Sequence, residues 1–262
     1  MGAVKSRVLK YEDTFAQIAR AEGIGFNALG KANPNVDIWL PGEGTKITLP
    51  TAFLLPEGIH EGIIINLSEM RLYYFKKNEA RLLSYPIGIG VQGFETPLME
   101  THTVTRIEHP SWTPTASIRQ EHADKGDILP ITVLPGPKNP LGSYAIQLKY
   151  PGYFIHGTNK PIGVGQRVSH GCIRLYEKHI EILATTVPNG TPVRIIRQPH
   201  KTGWSNGQLY LESHLDKDAP NYMSSFARSI IKTAGSKNIE IDWQKAEEVA
   251  RAGQGLPVRI SQ

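Results

Sequence analysis

The chain has 262 residues, of which 40% are hydrophobic and 20% are charged, a balance typical of a folded protein rather than a disordered one. No apolar run reaches the roughly 18 residues that a membrane-spanning helix needs, so no transmembrane segment is predicted. The formal net charge of +5 favours anionic surroundings, but the 29 basic residues are scattered and form no tract typical of nucleic-acid binding.

Residues 4–50 predict a compact unit built from a strand, two short helices and a closing strand. Asp13 is expected to be the N-cap of the first helix, because apolar residues follow it at helical spacing. The second helix is expected at residues 28–32, and "GTKITLP" reads as the closing strand. The motifs "DTFAQIA", "ANP" and Gly-x-x-Ile-x-Leu-Pro resemble a LysM module, a family that binds glycans containing N-acetylglucosamine. The alternative is a βααβ unit that only packs against its neighbour.

Residues 58–198 predict a mainly β region. "GIIINLSEMRLYYF" reads as two strands joined by a turn at Ser68 and Glu69, and "LLSYPIGIG", "YAIQL", "YFIHG" and "TPVRIIRQ" read as further strands. The proline-rich stretch from residue 94 to residue 151 is expected to form surface loops around a site. One helix, "EKHIEILATTV", is expected to turn Ile180 and Leu183 inward.

Residues 201–262 predict a small α/β appendage. "NYMSSFARSIIKTAG" reads as an amphipathic helix with Met223, Phe226, Ala227, Ile230 and Ile231 on one face, ending at a glycine. "NIEI" and "LPVRIS" are expected to be strands, and "DWQKAEEVARAG" a second helix that starts at an aspartate cap. This region carries no cluster of reactive groups, so we expect a structural or interaction role.

The sequence "VSHGCIRLY" contains the single cysteine of the chain, Cys172. In an extended segment, His170 and Arg174 lie on the same face as this cysteine, since side chains alternate along a strand. Gly171 lets another backbone approach closely, and His156 follows a predicted strand. An imidazole and a positive charge lower the pKa of a thiol and supply a general acid for a leaving amine. The pattern predicts a thiol-dependent acyl-transfer enzyme.

These residues have two alternative roles. His156, His170 and Cys172 are potential zinc ligands, but the His-x-Cys spacing lacks the patterns that identify zinc sites. A redox-sensing thiol is the other alternative, and it leaves His156 without a function. The local signatures of caspases and papain-like proteases are absent.

The longer stretch "IHGTNKPIGVGQRVSHGCIRL", residues 155–175, resembles the signature of YkuD-type L,D-transpeptidases. The resemblance extends over "GIIINLSEMRLYYF", "YPIGIG", "TPL" and "WTPTASIR", and so over nearly the whole middle region. It implies a mainly β catalytic domain, a sandwich or barrel. With the LysM-like unit in front, the layout is similar to the ErfK/YbiS-like periplasmic enzymes of Gram-negative bacteria.

The resemblance also implies roles for individual residues. Cys172 matches the nucleophile of the family, and His156 matches its proton donor and acceptor. The carbonyl of Gly157 matches the group that orients this imidazole. The backbone N–H groups of Gly171 and Cys172 match the oxyanion donors.

Further positions are matched less distinctly. His170 corresponds to a pocket-lining residue, and Arg174 to the basic residue that holds substrate, although a structural salt bridge is an alternative for it. Ser169 either contacts substrate or only fixes a turn. Tyr144 and Tyr153 are candidates for lining the substrate cleft, with core packing as the alternative.

The implied reaction acts on peptidoglycan. Cys172 would attack the carbonyl of diaminopimelate, the third residue of a tetrapeptide stem, and release the terminal D-alanine. The acyl group would pass to an amine of another stem or to a lipoprotein lysine. No metal or organic cofactor is expected. Hydrolysis by a carboxypeptidase or endopeptidase on the same scaffold stays open, and so does an inactive wall-binding protein, which a carbapenem would not modify.

The substrate also implies a location. A peptidoglycan enzyme works outside the cytoplasm, so the periplasm or cell envelope is expected. The start "MGAVKSRVLKYEDTF" lacks the apolar core of a signal peptide, and we therefore expect that a signal segment has been removed.

Overall fold

The computed structural model describes residues 2–77, 79 and 81–262. The chain forms two compact units, one made of residues 1–86 and 194–262 and the other of residues 87–193. In the described part of the chain, no helix is long and apolar enough to cross a membrane.

The protein is mainly β. Its strands are β1 (Lys5–Val8), β2 (Lys46–Leu49), β3 (Gly62–Asn66), β4 (Arg71–Phe75), β5 (Leu82–Pro86), β6 (Ile89–Gly90), β7 (Met99–Glu108), β8 (Tyr144–Leu148), β9 (Phe154–His156), β10 (Arg167–Ser169), β11 (Ile173–Arg174), β12 (Pro192–Ile196), β13 (His200–Ser205), β14 (Gln208–Ser213) and β15 (Val258–Arg259). Its α-helices are α1 (Phe15–Glu22), α2 (Phe26–Lys31), α3 (Ala116–Asp124), α4 (Glu177–Thr186), α5 (Tyr222–Ala234) and α6 (Trp243–Ala252).

The first unit begins with β1, α1, α2 and β2, the expected order of elements, and β1 pairs antiparallel with β2. The expected cap at Asp13 is wrong. Thr14 is the N-cap of α1 because its side chain accepts from the Gln17 backbone N–H while the Gln17 side chain accepts from the Thr14 backbone. Asp13 instead accepts a hydrogen bond from Arg7 at 2.8 Å.

A separate apolar core holds these elements together. Asn33, which follows α2, donates to Leu29 O and Thr48 O at 2.8 Å each and accepts from the Thr48 N–H, so it ties the end of α2 to β2. The buried core residues are Leu9, Phe15, Ile18, Ala19, Ile24, Phe26, Leu29, Ile47 and Leu49.

The same unit contains the hairpin that the sequence predicts at residues 62–75. The strands lie in the order β12, β3, β4 and β5, and β3 pairs antiparallel with β4 in full register. Every residue of β3 is buried, which explains its unbroken apolar run.

The C-terminal part of this unit departs in two ways from the sequence analysis. The hairpin of β13 and β14, which also pairs with β15, was not anticipated. "NIEI" is not a strand; Ile241 makes only an isolated bridge to Ser261. Helices α5 and α6 are confirmed, and Asp242 caps α6 as expected. On α5, Ile230 is buried but Ile231 is 62% exposed. The buried face of this helix is therefore narrower than predicted.

A buried ionic cluster links β13 and β14 to the β3–β4 hairpin. The Lys201 ammonium lies 2.6 Å from Glu69 and 2.8 Å from Glu212, and all three side chains are at most 1% exposed. His214 adds a 2.7 Å contact to Glu212. Glu69, Glu212 and His214 have the spacing of a metal site, but the ammonium already lies against both carboxylates, so this cluster is an ion-pair network.

The second unit holds strands in the order β11, β9, β8 and β7. β7, β8 and β9 are antiparallel neighbours, whereas β11 pairs parallel with β9 and β10 pairs parallel with β6. The predicted helix is α4, and Ile180 and Leu183 are fully buried as expected. The expectation of loops from residue 94 to 151 is wrong in part, because β7 and α3 form there.

Candidate active site

The parallel pairing of β9 and β11 brings the two halves of the sequence signature together. In this register Arg174 lies beside His156, and Ile173 lies beside Ile155. On its other edge β11 is held by Gly88, whose N–H donates to Arg174 O at 2.7 Å and whose carbonyl accepts from the Arg174 N–H at 2.9 Å. Cys172 precedes β11 and lines the same cavity as His156 and Arg174.

The turn that carries Cys172 is anchored on several sides. The Ser169 hydroxyl donates to Cys172 O at 2.6 Å, and Ser169 O accepts from the backbone of Val91 at 2.9 Å. The Thr96 hydroxyl donates to Gly171 O at 2.9 Å. Gly171 has a φ of +100°, a conformation that side chains with a Cβ rarely adopt. These bonds fix the direction in which the thiol points.

His156 is held in one orientation. Its Nδ1 lies 2.7 Å from Gly157 O, and because a carbonyl can only accept, Nδ1 carries the proton and Nε2 is left for proton transfer. The side chain is buried, at 3% exposure. Burial, aided by the nearby Arg174 charge, lowers the pKa of His156 to about 3, although the Gly157 carbonyl acts in the opposite direction. The imidazole is therefore neutral near pH 7.

The expectation of a lowered thiol pKa for Cys172 is wrong. Burial raises the pKa of Cys172, and this effect outweighs the hydrogen bond from the Phe154 backbone and the Arg174 charge, both of which lower it. The free energy needed to remove a thiolate from water exceeds the stabilisation that these two groups provide. The resting cavity thus holds a neutral thiol, which donates to Gly152 O at 3.6 Å, and a neutral imidazole, so the thiol proton must move as the sulfur attacks.

Arg174 is the positive charge of the site. Its Nε is buried and has no hydrogen-bond partner among the residues that the structure describes. Burial lowers the pKa of Arg174, and the Cys172 sulfur opposes this effect. A buried donor without a partner is costly, so this guanidinium is suited to a ligand that brings an acceptor, such as a carboxylate.

The catalytic candidates lie in a cavity of about 580 Å³, within the size range of small-ligand sites. Its walls are mostly apolar, and polar groups converge around the cysteine. The lining residues are Phe94, Ile107, Pro110, Ser111, Trp112, Thr113, Thr115, Ser117, Ile118, Pro140, Leu141, Ala145, Gly152, Phe154, His156, Ser169, His170, Cys172 and Arg174.

His170 lines the cavity, but its imidazole is held by α3. Its Nε2 lies 2.7 Å from the Glu121 carboxylate, and its ring packs edge-on against Phe94 with centroids 4.7 Å apart. Hydrogen bonds from Lys125 and His170 lower the pKa of Glu121 to about 2. This partner was not predicted, because Glu121 lies on a polar helix far from the motif along the chain.

The remaining predicted residues lie around the cavity rather than in its lining. The Tyr144 hydroxyl donates to Glu108 at 2.8 Å. Tyr153 packs edge-on against Tyr150 with centroids 5.2 Å apart, behind Gly171, where an added Cβ would meet the Tyr153 ring at 3.0 Å.

The zinc alternative finds no support in the geometry. Among the described residues, His156, His170 and Cys172 do not form a group whose ligand atoms all lie within 4.8 Å of one another.

Comparisons with known proteins point in one direction. Residues 60–195 match the profile of the YkuD family, the L,D-transpeptidase catalytic domain. The chain is 41% identical to the probable L,D-transpeptidase ErfK/SrfK of Escherichia coli, over 91% of this chain and 79% of the relative. It is 44% identical to the probable L,D-transpeptidase YcfS of the same species, over 93% and 79%.

A more distant relative covers the catalytic region. The putative L,D-transpeptidase YkuD of Bacillus subtilis is 31% identical, over 72% of this chain and 97% of its own length. Among solved structures, the catalytic domain of the Enterococcus faecium L,D-transpeptidase aligns with a TM-score of 0.40 at 22% identity, covering 52% of this chain and 96% of that one.

Proposed function

Because the chain belongs to the L,D-transpeptidase family, we propose that it is a peptidoglycan transpeptidase with Cys172 as its nucleophile. The observation that carries this proposal is the register of β9 and β11, which aligns His156 with Arg174 beside the cysteine turn. A thiol, an imidazole held in one tautomer and a guanidinium then face one cavity.

The proposed reaction proceeds in two acyl transfers. As Cys172 Sγ attacks the diaminopimelate carbonyl, the thiol proton moves to His156 Nε2. The tetrahedral intermediate collapses, its C–N bond breaks, and His156 returns the proton to the departing D-alanine amine. An acceptor amine then gives a proton to His156 and attacks the thioester, and the released sulfur takes the proton back. His156 is neutral at rest and so accepts the proton at the first step.

The positive charge of Arg174 in the cavity favours a donor stem peptide that carries a carboxylate. We propose that Arg174 binds a carboxylate of the stem peptide through its unpaired Nε–H. The backbone N–H groups of Gly171 and Cys172 are the proposed oxyanion donors, and Gly171 adopts the positive φ that orients this turn. Ser169 has the role of fixing the turn, because its hydroxyl donates to Cys172 O.

The remaining sequence predictions become proposals here. We propose domains at residues 4–50, 58–198 and 201–262, with the first a LysM-like unit that binds glycan strands. Two exposed aromatic side chains on this unit, Tyr11 and Trp39, favour sugar binding. The periplasm is the proposed location, since the substrate is found there, and a lipoprotein lysine is one proposed acceptor.

The proposal is tested by product analysis. Isolated sacculi rich in tetrapeptide stems are incubated with the protein, digested, and analysed by mass. The expected result is free D-alanine with new dimers joined between two diaminopimelate residues; tripeptide monomers would identify water as acceptor. Cys172→Ala should give neither product. Sacculi that bind the wild-type protein yet release no more D-alanine than with Cys172→Ala would contradict the proposal and favour a wall-binding protein.

A further inference from the structure

Glu177, which lies on α4 outside the cavity lining, contacts the peptide unit that orients His156. Its Oε1 accepts from the Thr158 N–H at 2.5 Å, and Gly157 O of the same peptide accepts from His156 Nδ1 at 2.7 Å. The described peptide bonds include no cis form, so the N–H and the C=O point in opposite directions. Carboxylate, peptide and imidazole therefore form one continuous hydrogen-bonded chain.

The surroundings of Glu177 are shaped to hold its carboxylate there. Its second oxygen accepts from the Ser143 N–H at 2.9 Å. A Cβ added to Gly142 or Gly157 would come within 2.0 Å and 2.2 Å of Glu177 Oε1, so only glycine leaves room for the carboxylate at these two positions. Glu177 is also the first residue of α4, where the helix dipole stabilises a negative charge.

We propose that Glu177 is a positioning residue of the reaction, which acts on His156 through the Gly157–Thr158 peptide. This inference rests on the proposed role of His156. A charge-assisted hydrogen bond to the N–H end of a peptide polarises its carbonyl, since linked hydrogen bonds strengthen one another. The Gly157 carbonyl then holds Nδ1–H more firmly and stabilises the imidazolium formed when Cys172 gives up its proton.

The charges that face the imidazole make this support useful. Arg174 on β11 pairs with His156, and its charge disfavours an imidazolium, while Cys172 lines the same cavity. Glu177 is the negative group that reaches the imidazole from α4 through the peptide. Its role matches that of the carboxylate in a Ser-His-Asp site, which orients the imidazole and stabilises its charged form.

The test compares Glu177→Gln with Glu181→Gln, which removes an exposed carboxylate one turn later on the same helix. We expect Glu177→Gln to lower kcat by about 10- to 100-fold, the loss typical of removing an outer partner of a functional histidine, while KM changes little. Alkylation of Cys172 by iodoacetamide should be slower across its pH profile below the thiol pKa, because the imidazolium that forms as the sulfur gives up its proton to His156 loses its support. The Nδ1–H proton signal of His156 should move to a lower chemical shift, because the Gly157 carbonyl holds this proton less firmly.

A second variant separates positioning from a helix-capping role. Glu177→Asp keeps a charge in the first turn of α4 but is one methylene too short to reach the Thr158 N–H. We expect it to melt no lower than Glu177→Gln, because the charge at the start of α4 is kept, and to show most of the kcat loss of Glu177→Gln. Full activity of Glu177→Asp, or a Glu177→Gln variant that matches Glu181→Gln in kcat and alkylation profile, would overturn the inference. Alkylation needs no peptidoglycan substrate, so failure of the proposed transpeptidase activity would be seen separately.

Discussion

His156→Gln is expected to lower kcat/KM for acyl transfer by about 10²- to 10⁴-fold, the usual contribution of a general acid–base. Glutamine can still donate to Gly157 O, so the local hydrogen bond is preserved, but it cannot take the proton of Cys172. The effect should be large here because burial raises the pKa of that thiol, and little thiolate forms without a base. The measurement is the rate of D-alanine release from a purified tetrapeptide muropeptide.

His170→Gln is the matched control, since both histidines line the same cavity. The His170 imidazole is engaged with Glu121, so we expect a smaller loss than for His156→Gln. A larger loss for His170→Gln would show that the proton transfer has been assigned to the wrong histidine. The wild-type profile gives a further check: because the pKa of His156 is lowered to about 3, protonation of this imidazole should not reduce kcat/KM between pH 5 and pH 7.

Lys201→Met should lower the free energy of unfolding by about 3–5 kcal/mol, the cost of removing one partner from a buried ion pair. The substitution leaves the Glu69 and Glu212 carboxylates buried without the ammonium that contacts both. Urea denaturation followed by circular dichroism measures the effect. Lys232→Met removes an exposed pair with Glu57 and should cost no more than about 1 kcal/mol. Equal losses in the two variants would contradict the role given to the buried cluster.

The same cluster predicts how stability depends on pH. Burial opposes ionisation of Glu212, but Lys201 and His214 together hold the pKa of this carboxyl below its ordinary value of 4.5. A group whose pKa is lowered on folding stabilises the protein above the unfolded pKa, and this contribution is lost as the pH falls through the folded value. We therefore expect wild-type stability to fall below about pH 4.5. The deficit of Lys201→Met should shrink there, because the Glu212 carboxylate, left without the ammonium, becomes protonated.

Local patterns in the sequence were sufficient for much of the fold. The apolar run of β3 and the aromatic run of β4 predicted the hairpin. Both runs are visible in the sequence because most residues of these two strands are buried. Ile180 and Leu183 predicted the inward face of α4 because helical spacing places them together. The residues of the cysteine signature were identified because they lie close together in the sequence, but the expectation of one extended segment is wrong: His170, Gly171 and Cys172 form a bend between β10 and β11, with Gly171 at a φ of +100°.

Features set by distant contacts could not be predicted. The sign of the pKa shift at Cys172 depends on how deeply the thiol is buried, which neighbouring residues do not reveal. Glu121 and Glu177 reach the site from elements whose sequences look like ordinary polar helix segments. Thr14 replaced Asp13 as a cap because Arg7 on β1 engages the aspartate, a contact made only once the strand and the helix have packed together.

The proposed reaction requires that the single thiol of this chain, on Cys172, becomes acylated by the donor stem. The direct measurement is the intact mass of the protein after brief incubation with a disaccharide-tetrapeptide, followed by an acid quench that preserves thioesters. We expect a gain equal to the mass of the muropeptide minus that of D-alanine, located on Cys172 and absent from Cys172→Ala. An unchanged mass while D-alanine is being released, or the same gain in Cys172→Ala, would contradict it.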